Sequence, residues 1–323
     1  MTMQSTTFGV DLITFFHPGF WDCADESAVI ALGDSDPRAF WDRMLDALVA
    51  SGIDGIELTF APFDWRTAVR AYGNTAGFVA ALSARGLHVM SGFFADVAIG
   101  GDLDDPARRA AHVESARAYA EFLHAAGCDV MVMGLPMRRS WDHVPPMFVD
   151  IELARGVAAF CHELAAATLG HGVRLALHTE AHSIFCTARD IDLLMLLTDP
   201  VYVGFCPDTA HITLVGSDPI AVVERHKDRV LAAHWKDAQG RVTLREPIDA
   251  GIHHAHRPLF RALGAGEVQW DAWIALLDTI GFDGPSILEI DAVADPAGEL
   301  RRSRAYVDAR LAHHARARLE LVG

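Results

Sequence analysis

The feature that most constrains this chain is a regular alternation of short apolar segments with longer helical patterns. Eight segments rich in β-branched and aliphatic residues have the continuous apolar character of strands that are covered on both faces of a parallel sheet. They are predicted at residues 8–15, 55–60, 86–92, 129–134, 173–178, 201–206, 230–234 and 286–290. Helices are predicted between and after them at residues 37–51, 66–85, 105–126, 150–169, 188–197, 219–228, 270–280 and 296–319. Eight strands alternating with eight helices predict a (β/α)8 TIM barrel.

Glycine residues mark the ends of several predicted helices. Five of them stand at the start of the next strand segment or within a few residues before it: Gly52, Gly86, Gly127, Gly172 and Gly281. Glycine adopts the left-handed conformation that ends a helix without a steric penalty, so these positions support the alternation. The length beyond a minimal barrel falls into two insertions, at about residues 17–36 and 237–268, within one predicted domain over residues 1–323. Both insertions follow a strand, on the side of the barrel where active sites are built.

The charge of the chain argues against two classes of partner. Its 323 residues carry 27 Lys and Arg against 43 Asp and Glu, a formal charge of −16. This charge repels phosphate backbones and anionic lipid, so neither nucleic acid nor a membrane is an expected partner. Residues 1–7 lack the basic and apolar regions of an export signal, and the five widely spaced cysteines are typical of reduced thiols. We therefore expect a cytoplasmic protein.

Ionisable side chains follow several predicted strands at the point where each strand ends. They are Glu57, His178, Glu180, Asp208, His211, His234, Lys236 and Glu289. The carboxyl ends of barrel strands share one mouth, so we expect these side chains to converge there. Carboxylates and imidazoles brought together are mutually repulsive and poorly solvated unless a cation lies between them. The sequence therefore predicts a divalent metal site.

The types of donor restrict the metal and its ligands. Carboxylates and imidazoles without a thiolate suit Mn²⁺, Co²⁺, Fe²⁺ or Mg²⁺ and allow Zn²⁺, and Mn²⁺ is our first choice. Alternation along a strand places His178 and Glu180 on the same side, so either can bind the ion while the other acts on the substrate. We expect Glu180 to be the ligand from this strand, and Asp208, His234 and Glu289 to complete the set.

Four motifs carry a resemblance to a known group of proteins. They are Asp208-Thr209-Ala210-His211, His234-x-Lys236-Asp237, Gly264-x-Gly266-x-Val268-x-Trp270 and Leu288-Glu289. With them the chain resembles the xylose-isomerase-like barrel superfamily, which includes sugar isomerases and epimerases, the endonuclease IV group and inosose dehydratases. The resemblance spans about 240 residues and is most specific from Gly172 onward.

The resemblance implies a metal held by a Glu, an Asp, a His and a Glu from four successive strand ends. It assigns Asp208, His234 and Glu289 to the metal, with His211 close by. The chain departs from the pattern at Leu175-Ala176-Leu177-His178, where sugar epimerases often carry Leu-x-Leu-Glu. This segment is closer to the inosose dehydratase type.

These features together predict a metal-dependent enzyme acting on a small carbohydrate or cyclitol, one that contains a carbonyl and several hydroxyls. A metal bound by adjacent carbonyl and hydroxyl oxygens acidifies the neighbouring C–H bond, so enolisation is the expected first step. The favoured reaction is isomerisation or epimerisation. The alternative is a lyase of the same fold, either an inosose-type dehydratase or a deglycosidase of an oxidised glycoside with a small partner subunit. A barrel that only binds a sugar is the third reading, and a homo-oligomer is compatible with all three.

Individual residues receive predicted roles in this scheme. Glu180 or Glu289 is expected to take the proton, and His178, His211 or Lys236 to deliver one. Lys236 is expected to polarise a substrate oxygen at a lowered pKa.

Three further residues are expected to contact the substrate. These are Glu57, Trp21 in the first insertion and Arg257 in the cluster His253-His254-x-His256-Arg257. Tryptophans at the mouth are expected to stack on sugar faces, and the candidates are Trp21, Trp65, Trp141 and Trp235.

Overall fold

Eight parallel strands form the central sheet of the computed structural model, which describes residues 7–100, 103 and 105–322. The strands in chain order are β1 (Phe8–Asp11), β2 (Gly55–Leu58), β3 (His88–Phe94), β4 (Val130–Gly134), β5 (Arg174–His178), β6 (Val203–Cys206), β7 (Ala233–Trp235), β8 (Asp237–Ala238), β9 (Phe260–Arg261) and β10 (Ser286–Leu288). The two-residue strands β8 and β9 pair antiparallel with each other, outside the central sheet.

The central sheet closes on itself into a barrel. Its strand order is β6-β5-β4-β3-β2-β1-β10-β7, and every pair along it is parallel. Strands β6 and β7 meet through isolated bridges, in which Leu231 N donates to the Phe205 carbonyl at 2.9 Å and His234 N to the Pro207 carbonyl at 3.0 Å. The predicted (β/α)8 barrel is confirmed.

Helices follow the strands and cover the barrel. They are α1 (Pro18–Trp21), α2 (Glu26–Ser35), α3 (Pro37–Val49), α4 (Trp65–Tyr72), α5 (Thr75–Ser83), α6 (Asp96–Gly100), α7 (Pro106–Ala125), α8 (Ile151–Leu169), α9 (Ala188–Leu197), α10 (Thr209–Leu214), α11 (Pro219–Arg225), α12 (Ile252–His256), α13 (Trp270–Thr279) and α14 (Pro296–Val322). The five predicted glycine stops all have positive φ, from 67° to 79°. Glycine therefore ends these helices for the conformational reason given above.

Two local differences from the predicted elements have clear causes. The helix predicted at residues 66–85 is two helices, because Gly73 ends α4 at φ 84° and the Asn74 side chain caps α5 by accepting from Gly77 N. The first strand stops at Asp11, whose carboxylate accepts from Ile13 N and starts a 3₁₀ turn over Leu12–Phe15. Short polar side chains at helix starts compete with strand continuation in this way.

The barrel interior is filled by small side chains that form a cluster apart from the core between sheet and helices. Its buried members are Val130, Val132, Ala176, Cys206 and Ala232. On β5, Ala176 and His178 lie on the same face of the strand, so His178 follows directly above this apolar layer. The packed interior leaves the carboxyl ends of the strands as the place for a cavity.

The cysteines behave as core residues. All five are free, and all except Cys23 are buried. Burial raises the pKa of the Cys128 and Cys161 thiols to about 12, so both stay protonated at neutral pH.

No helix in the described residues combines the length and apolar character needed to span a bilayer.

Closure of the barrel predicts a stability difference between two glycine substitutions. A Cβ at Gly204 of β6 would overlap the Leu231 side chain and come within 3.1 Å of the Arg229 carbonyl oxygen. Gly204→Ala should therefore lower the free energy of unfolding by about 1–3 kcal/mol, measured by urea titration. Gly156→Ala on α8, where a Cβ meets open space, should raise it by about 0.5–1 kcal/mol. Equal stabilities of the two variants would contradict the close approach of β6 to the chain entering β7.

Candidate active site

A cavity of about 350 Å³ opens at the carboxyl ends of the strands. Its polar lining comes from Asp11, Glu26, Thr59, His178, Glu180, His211, Lys236, His253, His254, His256, Arg257, Glu289 and Asp291. Its aromatic lining comes from Phe16, Phe60, Phe93 and Phe260. A concave pocket in which several ionisable groups converge is the usual form of a catalytic site.

Four buried side chains at the base of this cavity form a group suited to a metal ion. Donor atoms of His178, Asp208, His234 and Glu289 all lie within 4.8 Å of one another. His234 Nδ1 is 2.8 Å from Glu289 Oε2, and His178 Nε2 is 3.7 Å from Asp208 Oδ2. Among the described residues, both His178 ring nitrogens and Asp208 Oδ2 are buried without a hydrogen-bond partner. Two imidazoles and two carboxylates with unfilled hydrogen-bonding capacity fit a divalent transition metal.

The residue from β5 in this group is His178, and Glu180 lies next to the group. His178 ends the strand, whereas Glu180 falls in the turn that follows. The Glu180 carboxylate is 3.5 Å from His211 Nε2, 3.7 Å from His253 Nδ1 and 4.0 Å from His178 Nδ1. Burial and the nearby Glu289 raise the pKa of Glu180 well above its ordinary value, although Lys236 opposes this rise. Glu180 is thus a carboxylate with high proton affinity that faces the cavity.

Lys236 places a buried positive charge beside these four side chains. Its Nζ donates to Glu289 Oε1 at 2.5 Å and to Asp291 Oδ1 at 3.1 Å, and lies 3.9 Å from the centre of the Phe260 ring. Burial alone would lower the pKa of Lys236, but Asp291 and Glu289 raise it well above its ordinary value. The predicted lowering of this pKa is therefore wrong, because carboxylates from the β10 end surround the ammonium group. Lys236 keeps its proton.

His211 has a fixed neutral tautomer. Its Nδ1 accepts from Ala181 N at 3.1 Å, so in the neutral ring the proton resides on Nε2. Burial and the Lys236 charge lower the pKa of His211 well below its ordinary value. The Nε2–H group lies between Glu180 Oε2 and Lys236 Nζ, at 3.5 and 3.3 Å.

Of the three residues expected to contact the substrate, the structure places only Arg257 in the cavity lining. Arg257 lines the cavity and pairs with Glu26 of α2 at 2.9 Å. Glu57 is fully buried, does not line the cavity, and lies 2.8 Å from His234 Nε2. Trp21 is buried outside the cavity, where it stacks on Phe40. The predicted contacts of Glu57 and Trp21 with substrate do not match these positions.

The expected tryptophan mouth is replaced by phenylalanines. Trp235 is buried against Trp270, Trp65 stacks on Tyr119, and Trp141 is 59% exposed. Side chains alternate in and out of the barrel, so Trp235 faces the helices while its neighbours His234 and Lys236 face the mouth. Sequence position alone placed Trp235 near the site but on the wrong face.

Two features of the site escaped the sequence analysis. Asp11 lines the cavity at the end of β1, a position that its strand-end location would have identified had the predicted strand not run on to residue 15. His182 Nδ1 lies 2.8 Å from His256 Nε2, and His182 Nε2 lies 2.9 Å from the Thr243 carbonyl oxygen. Contacts between residues this distant in the chain leave no local sequence signal.

Asp237 explains two of the motifs in physical terms. Its fully buried carboxylate accepts from the backbone N–H groups of Ala238, Gly264, Gly266 and Val268 and from Trp270 Nε1, at 2.8 to 3.2 Å. A Cβ at Gly266 would overlap this carboxylate, so glycine is required there. The motif Gly264-x-Gly266-x-Val268-x-Trp270 is therefore a structural partner of Asp237.

The five hydrogen bonds to the Asp237 carboxylate predict that its replacement by an amide strongly destabilises the fold. Asp237→Asn leaves one acceptor oxygen and turns an NH₂ group toward N–H donors, so the free energy of unfolding should fall by at least about 3 kcal/mol. Urea titration measures this loss. Asp271→Asn, at an exposed residue that pairs with Arg310, is the matched control and should change stability by less than about 1 kcal/mol. Similar small losses in both variants would refute the anchoring role of Asp237.

Fold and site together define a barrel with buried carboxylates and histidines, in an arrangement that could hold a metal ion, at the carboxyl ends of its strands. Residues 45–310 match the xylose isomerase-like TIM barrel family. The chain belongs to this family, which confirms the resemblance seen in the sequence.

The chain is similar in sequence to known enzymes and in structure to solved proteins. The chain is 31% identical over 255 residues to the inosose dehydratase of Geobacillus kaustophilus (strain HTA426), which covers 73% of this chain and 78% of the relative. The crystal structure of the IOLI protein with a binding zinc atom has a TM-score of 0.68 at 12% identity, over 96% of this chain and 99% of that one. L-ribulose 3-epimerase has a TM-score of 0.67 at 16% identity, over 98% and 97%. The two solved structures share the fold with this chain.

Proposed function

We propose that this protein is a metal-dependent carbon–oxygen lyase that dehydrates a polyhydroxylated cyclic ketone of the inosose type. The observation that carries the proposal is the different placement of His178, at the end of β5, and Glu180, just beyond it. His178 joins the metal-binding group, which leaves Glu180 free to act on the substrate. The similarity to inosose dehydratases supports the lyase, the alternative of the sequence analysis, over the isomerase or epimerase that the sequence favoured.

His178, Asp208, His234 and Glu289 would hold the metal. A divalent ion bound there would polarise the substrate carbonyl and acidify the adjacent C–H bond. The sequence-based choice of Mn²⁺ stays a prediction. Two imidazoles among four ligands also suit Zn²⁺, Fe²⁺ and Co²⁺, and the crystal structure of the IOLI protein contains zinc.

Glu180 is the proposed proton acceptor. It takes the proton from the carbon next to the carbonyl, and the hydroxyl on the following carbon leaves as the C–O bond breaks. The high proton affinity of Glu180 lets it hold that proton and return it to the departing hydroxyl as water forms. The substrate thus loses one water, and the enzyme returns to its starting protonation state.

The neighbours of Glu180 have supporting roles in this scheme. His211 Nε2–H faces the Glu180 carboxylate and orients it. Lys236 retains its proton, so it stabilises negative charge on a substrate oxygen as a fixed cation. Arg257 and the histidines of α12 line the outer cavity, where they can bind further substrate hydroxyls. The four phenylalanines supply apolar surface to the cavity wall.

The roles on β5 predict opposite phenotypes for two substitutions. His178→Ala should lose bound metal, as Asp208→Ala and Glu289→Ala should, in elemental analysis of the purified protein. Glu180→Gln should retain about one equivalent of metal and lose at least about 10²-fold in turnover. Glu267→Gln, at a surface residue paired with Arg241, is the control and should match wild type in both measurements. The reverse pattern would make Glu180 the ligand, as the sequence analysis expected.

The reaction itself is tested by mass spectrometry of a keto-inositol incubated with metal-loaded protein in deuterated water. A product lighter by one water supports the lyase. A distinct isomer of the substrate, separated from it by chromatography and carrying solvent deuterium on carbon, would instead identify an isomerase or epimerase. Bound metal without any change in the substrates tested would favour a binding role.

A further inference from the structure

Glu57 has an unusual environment for a carboxylate. It lies on β2 in register with Asp11 on β1 and Ser91 on β3, next to an irregularity in the β2–β3 pairing. The side chain is fully buried. Neither carboxylate oxygen has a well-aligned hydrogen bond from the described residues. A buried carboxylate left in this state is costly, so its neighbours should explain why it is there.

The neighbour that can satisfy Glu57 is His234. Glu57 Oε1 lies 2.8 Å from His234 Nε2, a nitrogen that is also buried without an aligned partner. The other ring nitrogen, Nδ1, is 2.8 Å from Glu289 Oε2 and 4.0 Å from Asp208 Oδ2. The imidazole therefore spans two groups, with Glu57 on one side and the proposed metal ligands on the other.

We infer that Glu57 is a positioning residue that holds His234 with Nδ1 directed at the metal. A carboxylate that accepts the Nε2 proton fixes the tautomer in which Nδ1 is a free donor for a cation, and it restrains rotation of the ring. This inference rests on the proposed metal site and assigns Glu57 a role away from the substrate. It also accounts for the buried position of Glu57, which the predicted substrate contact does not.

Two substitutions of Glu57 with opposite effects distinguish positioning of His234 by hydrogen bonding from simple attraction between the Glu57 charge and the metal. Glu57→Gln keeps an acceptor oxygen near Nε2 and removes the charge, whereas Glu57→Asp keeps the charge and withdraws the acceptor. Metal-free proteins are titrated with Co²⁺ and with Zn²⁺ against a competing chelator. Positioning predicts that Glu57→Asp weakens metal binding by about 10–100-fold. It also predicts that Glu57→Gln stays within about threefold of wild type, and that only Glu57→Asp shifts the visible absorption of the Co²⁺ protein.

Ser91→Ala, at a buried residue in register with Glu57 on β3, is the control for disturbing the packing around Glu57, and it should leave metal affinity within about threefold of wild type. A loss in Glu57→Gln with full affinity in Glu57→Asp would overturn positioning in favour of charge. Two equivalents of metal in wild type, reduced to one in both Glu57 variants, would overturn it in favour of a second ion held by Asp11, Glu57 and His234.

The same titration separates this inference from the proposed function. Wild-type protein that binds no metal would refute both. Wild-type affinity in all three variants would refute only the role of Glu57. Catalytic inactivity on every ketone tested, with the crossed pattern of metal affinities intact, would leave the role of Glu57 standing and refute the lyase.

Discussion

The structure depends on how buried negative charge is compensated at the carboxyl ends of the strands. Four buried carboxylates from four strand ends surround one imidazole: Asp11, Glu57, Asp208 and Glu289 around His234. Such a cluster opposes folding unless positive charge enters it. Lys236 supplies one charge through Glu289 and Asp291, and His234 lies between Glu57 and Glu289. The remaining excess of acceptors is the physical basis of the proposed metal site.

The proposed chemistry uses a difference between two residues only two positions apart. His178 is the last residue of β5 and reaches inward, while Glu180 lies beyond the strand and faces the cavity beside His211 and His253. Where both roles fall on glutamates that bind the ion, proton transfer and metal binding are tied together. In the proposed reaction, metal binding by the His178 imidazole leaves the Glu180 carboxylate free for proton transfer.

Sequence reasoning worked where the determinants are periodic or local. The strand and helix alternation and the glycine stops, such as Gly86 and Gly172, were sufficient for the barrel, because each depends on a few neighbouring residues. Strand-end chemistry brought His178, Lys236 and Glu289 to one cavity. The prediction for Trp235 was wrong because the face of its side chain depends on the exact end of the strand. The prediction for the Lys236 pKa was wrong because its carboxylate partners lie more than fifty positions away in the chain. The choice between His178 and Glu180 was open for the same reason.

The carboxylate of Asp237 holds both ends of the second insertion. It accepts from Ala238 where the insertion leaves the barrel and from Gly264 and Gly266 where it returns. The residues between them thus form an excursion, a segment that leaves the barrel and returns to it at the Asp237 carboxylate. Lys236 and the start of helix α13 are thus joined through one buried carboxylate, whose Oδ2 also accepts from Trp270 Nε1. Under the proposed function, Arg257 places substrate contacts in this excursion, so substrate preference is set apart from the reaction chemistry at the strand ends.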